Sequence, residues 1–121
     1  MEPIFDRRGR PVGWLQAHVI YDRSGHARAW LQDGAVYTYA GEYLGTFARG
    51  FFRDRQGHAV AFVQGAEGEP PTPITAFPPV PPVAGVAPVP RLPQPAPPPP
   101  VPSRDWSPVS WEEYMSGASS A

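Results

Sequence analysis

The sequence predicts an all-β fold: four sixteen-residue β-hairpins closed about a pseudo-four-fold axis, then a polyproline II tail and a short C-terminal helical turn. Three observations carry the prediction. A glycine returns at Gly9, Gly25, Gly41 and Gly57, sixteen residues apart each time, with like residues on both sides of it. Sixteen of the nineteen prolines fall between Pro70 and Pro102, which confines the packed unit to roughly the first half of the chain. Inside the proline-rich stretch, Ile74, Phe77, Val80, Val83, Val86, Val89 and Leu92 stand three residues apart without a miss.

The repeat settles the architecture because so short a unit cannot bury its own apolar face and must stack on its copies. Three residues before each marker glycine come Asp6, Asp22, Thr38 and Asp54; four before it, Phe5, Tyr21, Tyr37 and Arg53. Four residues after it come the small Gly13, Ala29, Gly45 and Ala61, and then Trp14, Trp30, Thr46 and Phe62. Asp at the first position of a type I turn accepts backbone N–H bonds, and Gly at the fourth takes the left-handed conformation of a bulged hairpin loop. The units join through tighter turns, of which Asp33-Gly34 has the strongest chemistry. Eight strands follow, near 3–6, 10–16, 19–22, 26–32, 35–38, 42–48, 51–54 and 58–64. Closing them into a ring removes the open edges.

The outgoing strands raise a difficulty. Gly13, Ala29, Gly45 and Ala61 share one face with Leu15, Leu31, Phe47 and Val63, while strict alternation puts Val12, Trp14, Leu44, Val60 and Phe62 on the other. Both faces are then apolar, and a domain of about 65 residues has little core to spare. The tail or a second subunit is expected to supply the cover.

Residues 67–105 supply the means. Polyproline II has three residues per turn, so the aliphatic period of three lies along one edge of that helix. Such an edge is expected to pack against a surface, with Val80, Val83, Val86 and Val89 more buried than the residues between them. Straight, positions 74–92 would span about 56 Å at about 3.1 Å per residue, so the segment has to bend or reach a neighbour. At 106–121, Trp106, Trp111, Tyr114 and Met115 form an aromatic clasp followed by a frayed end, and Ser110 with Glu113 makes a capping box around one helical turn. A turn that short holds only by docking. Its expected seat is a neighbouring ring, in a homo-oligomer that depends on residues 74–115.

The repeated hydrophobic-Tyr-Asp-x-x-Gly-x-x-x-Gly/Ala-Trp-Leu unit, the proline-rich tail and the closing Ser110-Trp111-Glu112-Glu113-Tyr114 together resemble the bacterial 4-fold β-flower family over Pro3 to Tyr114. The resemblance implies a fold; it brings no activity and no site residues. Thr38, Thr46 and Arg53 depart from the unit pattern and make the ring unequal.

Composition excludes more than it assigns. There is no cysteine, so neither disulfides nor thiolate chemistry is available. Through residue 66 there are eight Arg against six acids, and after it two Arg against five; this is no concentrated basic face, and nucleic acid is not an expected partner. His18, His26 and His58 fall at or beside turns in units too far apart to converge on a metal, and Asp6, Asp22 and Asp54 read as turn residues rather than paired catalytic carboxylates. No catalytic, cofactor-binding or metal-binding residue is assigned, and no cofactor is expected. With no leader-like N-terminus and no run of about 18 apolar residues, the default is a cytoplasmic chain without a membrane partner.

The expected function is a non-enzymatic structural or protein-interaction module, partnered by itself or by another protein. Its candidate surface comprises Trp14, Tyr21, Trp30, Tyr37 and Phe62 on the ring, Phe77, Val80, Val83, Val86, Val89 and Leu92 on the tail, and Trp106, Trp111 and Tyr114 on the clasp. The alternative is a carbohydrate or small-ligand module that offers the ring aromatics to a glycan.

Overall fold

The computed structural model describes residues 1–117. The frayed end expected beyond the clasp falls almost wholly in residues 118–121, outside the described part. Eight strands, β1 (Glu2–Asp6), β2 (Pro11–Gln16), β3 (Val19–Tyr21), β4 (Ala27–Gln32), β5 (Ala35–Thr38), β6 (Tyr43–Ala48), β7 (Phe51–Arg53) and β8 (Ala59–Val63), pair antiparallel in chain order. Pairing of β8 with β1 closes the barrel.

The marker turns form as their chemistry dictates. The N–H groups of Gly9, Gly25, Gly41 and Gly57 donate to the carbonyls of Asp6, Asp22, Thr38 and Asp54 at 2.9, 3.1, 3.0 and 3.1 Å. All four glycines sit at positive φ, +77°, +91°, +90° and +89°, where a Cβ would be strained. Each turn Asp accepts two further backbone N–H bonds through one carboxylate oxygen, as Asp22 does from Ser24 at 2.9 Å and His26 at 3.0 Å. The Thr38 hydroxyl takes the place of that carboxylate and accepts from the Glu42 N–H at 3.2 Å. Between units, Asp33-Gly34 and Arg49-Gly50 both take positive φ at both residues, the type I′ requirement.

The two-faced apolar pattern is resolved inside the ladder. Opposite each bulged loop the register slips by one residue: Ile4 faces Gly13 but Phe5 faces Pro11, and the slip recurs in every unit. The residues skipped are Val12, Arg28, Leu44 and Val60. A bulge reverses the alternation locally. Leu44 and Val60 accordingly join the interior cluster of Ile4, Leu15, Ile20, Val36, Phe52 and Val63, with Val12 packed against it. This corrects the expectation that they share the outer face with Trp14 and Phe62.

The interior is completed by α1 (Trp111–Met115), whose Trp111, Tyr114 and Met115 belong to that same cluster. The capping box is present, with Glu113 N–H to Ser110 Oγ at 3.2 Å and Ser110 N–H to Glu113 Oε1 at 3.1 Å. Trp111 meets Phe52 edge-on at 5.4 Å, and the Tyr114 hydroxyl donates to the Arg53 carbonyl at 2.9 Å. Room for the clasp comes from the small-residue level: a Cβ on Gly45 would lie 3.0 Å from the Tyr114 hydroxyl. Arg28, the one polar residue among the four skipped positions, reaches Glu112 on the helix at 3.3 Å.

Candidate functional site

From residue 67 the chain circles its own ring as a strap. The Ala76 N–H donates to the Gly9 carbonyl at 2.9 Å, Gly85 to Gly25 at 2.8 Å, Gln94 to Gly41 at 2.9 Å and Ser103 to Gly57 at 3.0 Å. Four donors nine residues apart thus meet four acceptors sixteen residues apart. Nine residues are three turns of polyproline II, about 28 Å at about 3.1 Å per residue. The length that exceeded one domain diameter is used in going round it.

The marker glycines are required twice over. A Cβ on Gly25 would come 2.4 Å from the Val83 carbonyl oxygen, and one on Gly41 2.5 Å from that of Leu92. All four glycines are buried by this contact.

Which edge of the strap faces the ring corrects the sequence expectation. Val80, Val83, Val86 and Val89 are 89%, 92%, 98% and 90% exposed, and Phe77 and Leu92 are equally open. Pro70 is buried, and the half-buried strap residues are Pro73, Thr75, Pro82, Ala84, Ala87, Pro93, Pro100 and Ser103. The cause is the docking chemistry. Backbone N–H groups and carbonyls must point at the turns, the small or cyclic side chains beside them can lie close, and the large aliphatics are left on the opposite edge.

The clasp also sits on this chain's own ring rather than a neighbour's. Trp106 packs against Phe51 and Phe62 at 6.3 and 6.1 Å, Ser107 N–H donates to the Ala59 carbonyl at 2.7 Å, and Ser107 Oγ donates to the buried Asp54 carboxylate at 2.7 Å. The aromatics expected on the ring surface prove to be cross-strand pairs at the joins between units: Trp14 opposite Tyr21, Trp30 opposite Tyr37, and Phe62 opposite Phe5. Trp14, Tyr21, Tyr37 and Phe62 are buried and Trp30 is half-buried, so they offer no open aromatic platform to a glycan.

The third join is different, and sequence reading missed its use. There Thr46 faces Arg53. The Arg53 guanidinium, stacked over Phe51 at 5.0 Å, donates to the carbonyls of Gly57 and Ser103 at 2.8 and 2.9 Å and also to the carbonyl of Glu69. Glu69 opens the strap and Ser103 ends it, so one side chain fastens both ends to the ring. Burial pushes the guanidinium below its ordinary pKa, with the Asp54 carboxylate opposing, and the group stays charged. The signal available beforehand was the departure itself, a cation in a column of aromatics. Beside this buckle the Thr46 side leaves a cavity of about 790 Å³.

Charge and titration elsewhere follow the turns. Burial acts to raise the Asp22 carboxyl, but the N–H bonds from His26 and Ser24 outweigh it and hold the group below its ordinary value. Burial drives the Tyr114 hydroxyl well above its ordinary value. Among the described residues no group of three or more His, Cys, Asp and Glu is placed to hold a metal ion, and no helix is long and apolar enough to cross a membrane.

Comparison with known proteins bears on the whole assembly of ring, strap and clasp. Neither the curated proteins nor the solved structures include a match. The family model of the 4-fold beta flower protein matches residues 2–115, from the first strand through the last residue of the clasp helix. With four hairpins on one axis and nearly its full length matched, the chain belongs to the 4-fold beta flower family.

Proposed function

We propose that this chain is a non-enzymatic structural or protein-interaction module that self-associates through the outer edge of its strap. One observation carries the reading. Among the described residues the exposed large hydrophobics, from Ile74 at 96% to Val101 at 86%, all lie on the strap, while the ring aromatics are buried or half-buried. Monomeric proteins rarely leave so continuous an apolar line in water. The edge follows the ring's circumference, so a second copy with the same edge offers the matching surface, as closed symmetric assemblies require. Cytoplasmic placement stays part of this proposal, and cell fractionation tests it.

Light scattering on the full chain checks the reading. The wild type is expected to be a concentration-dependent oligomer. Replacing Val80, Val83 and Val86 by Ser, whose side chains are exposed on the strap's outer edge, is expected to give a folded monomer. A wild type that stays monomeric at every concentration ends the proposal; an oligomer unchanged by the triple replacement moves assembly to another surface.

A further inference from the structure

The cavity at the third join is open because the repeat is broken there. Trp14 and Trp30 occupy the equivalent position in the first two units and Phe62 in the fourth, whereas Thr46 leaves the space without an aromatic ring. We propose that this cavity of about 790 Å³ is a binding site for a flat, uncharged aromatic ring of indole size. This inference stands apart from the strap-edge association, since it uses a different face.

Three features define the ligand. The walls are Phe47 and Tyr43 from the ring and Pro97, Pro99 and Pro100 from the strap, flat carbon faces of the kind on which aromatic rings stack. Charges around the lining balance, with Arg49, Arg53 and Arg104 against Asp33, Glu67 and Glu69, so the site favours neither an anion nor a cation. The volume lies in the range of about 300–1,000 Å³ common to small-molecule pockets. The chain itself supplies the template: across the join of the second unit an indole packs on a phenol at 5.4 Å between ring centroids. Where the chain does not furnish that indole, a ligand can. The same ring could arrive as a free small molecule or as a tryptophan side chain on an extended peptide.

The test is a titration of the full-length protein, followed by backbone amide shifts, with indole in one arm and a blocked Gly-Trp-Gly peptide in the other. Saturable shifts are expected at Thr46, Phe47, Arg53 and the facing strap amides of Ala96, Val101 and Ser103. Saturation by indole identifies a free small molecule as the source, and saturation by the peptide alone identifies a peptide. Thr46→Trp and Thr46→Phe install residues that equivalent positions already carry, and either is expected to weaken binding by about tenfold or more. Failure of both probes to saturate, shifts centred on another join or on the strap's outer edge, or undiminished affinity in a folded Thr46 variant would each overturn the proposal. The wild-type shift map decides alone should neither variant fold.

Discussion

Ring and strap are both periodic, but they are specified by different parts of the chain. In the ring, side chains decide: small residues at Gly13, Ala29, Gly45 and Ala61 admit the clasp, and inward apolar side chains from every strand fill one cluster. In the strap, the backbone decides, through an N–H at every ninth residue, Ala76, Gly85, Gln94 and Ser103, and one more at Arg91 to the Tyr39 carbonyl. A segment held in this way tolerates many side chains on its outer edge. It can therefore carry a line of valines whose side chains take no part in its own docking and stay exposed.

The sharpest break in that comparison is between an inner and an outer hydrophobe. Trp111→Ala removes a buried indole from the interior and is expected to cost about 3–5 kcal/mol in a denaturant titration. Val86→Ser, at a residue 98% exposed, is expected to leave the midpoint within about 0.5 kcal/mol.

Arg53→Ala comes next. It removes three hydrogen bonds to strap and turn carbonyls, and a loss of about 3 kcal/mol is expected, with faster proteolysis between residues 67 and 105. Stability and cleavage pattern unchanged from wild type would mean that the strap needs no buckle.

Gly25→Ala combines left-handed strain with a 2.4 Å approach to the Val83 carbonyl, and a cost of about 2 kcal/mol is expected. The same change at Gly65, also at positive φ but with nothing within 4 Å of an added Cβ, keeps only the strain. The difference between the two midpoints measures strap contact alone.

How much of this was legible follows from which atoms do the work. Marker glycines, turn aspartates and the Ser110–Glu113 capping box are side-chain signals with fixed offsets, and the sequence displays them directly. The strap's register depends on main-chain N–H groups, visible only as non-proline residues at 76, 85, 94 and 103. Nine is also a multiple of three, so the polyproline period of the valines masks the docking period. Period alone places an edge on a helix without saying which way it faces. Outward packing of the valines followed from the turns' demand for backbone contact, a tertiary constraint. The slipped residues Val12, Leu44 and Val60 were misplaced because strict alternation ignores a bulge. Thr46 and Arg53 were noticed as irregularities, but the buckle and cavity they make require the strap's path.

The smallest effect concerns the clasp's hydroxyl. Tyr114→Phe loses one hydrogen bond to the Arg53 carbonyl, at a cost of about 1 kcal/mol. The folded-state pKa of Tyr114 is raised, so its contribution is complete below the ordinary tyrosine value of about 10 and is lost as pH rises beyond it, when the unfolded chain ionises first. The wild type is expected to lose stability above pH about 10 more steeply than the variant. Parallel alkaline curves would show that the buried hydroxyl is not the group responsible.

Native-state hydrogen exchange, read residue by residue, tests most directly the claim that the strap meets the four marker glycines through backbone bonds in a nine-to-sixteen register. Amides of Ala76, Gly85, Gln94 and Ser103 are expected to be protected, along with Arg91, whose N–H donates to the Tyr39 carbonyl at 3.0 Å, while neighbours such as Phe77 and Val86 exchange at the rate of open chain. Uniformly fast exchange from 70 to 103, or protection that misses Ala76, Gly85, Gln94 and Ser103, would contradict it.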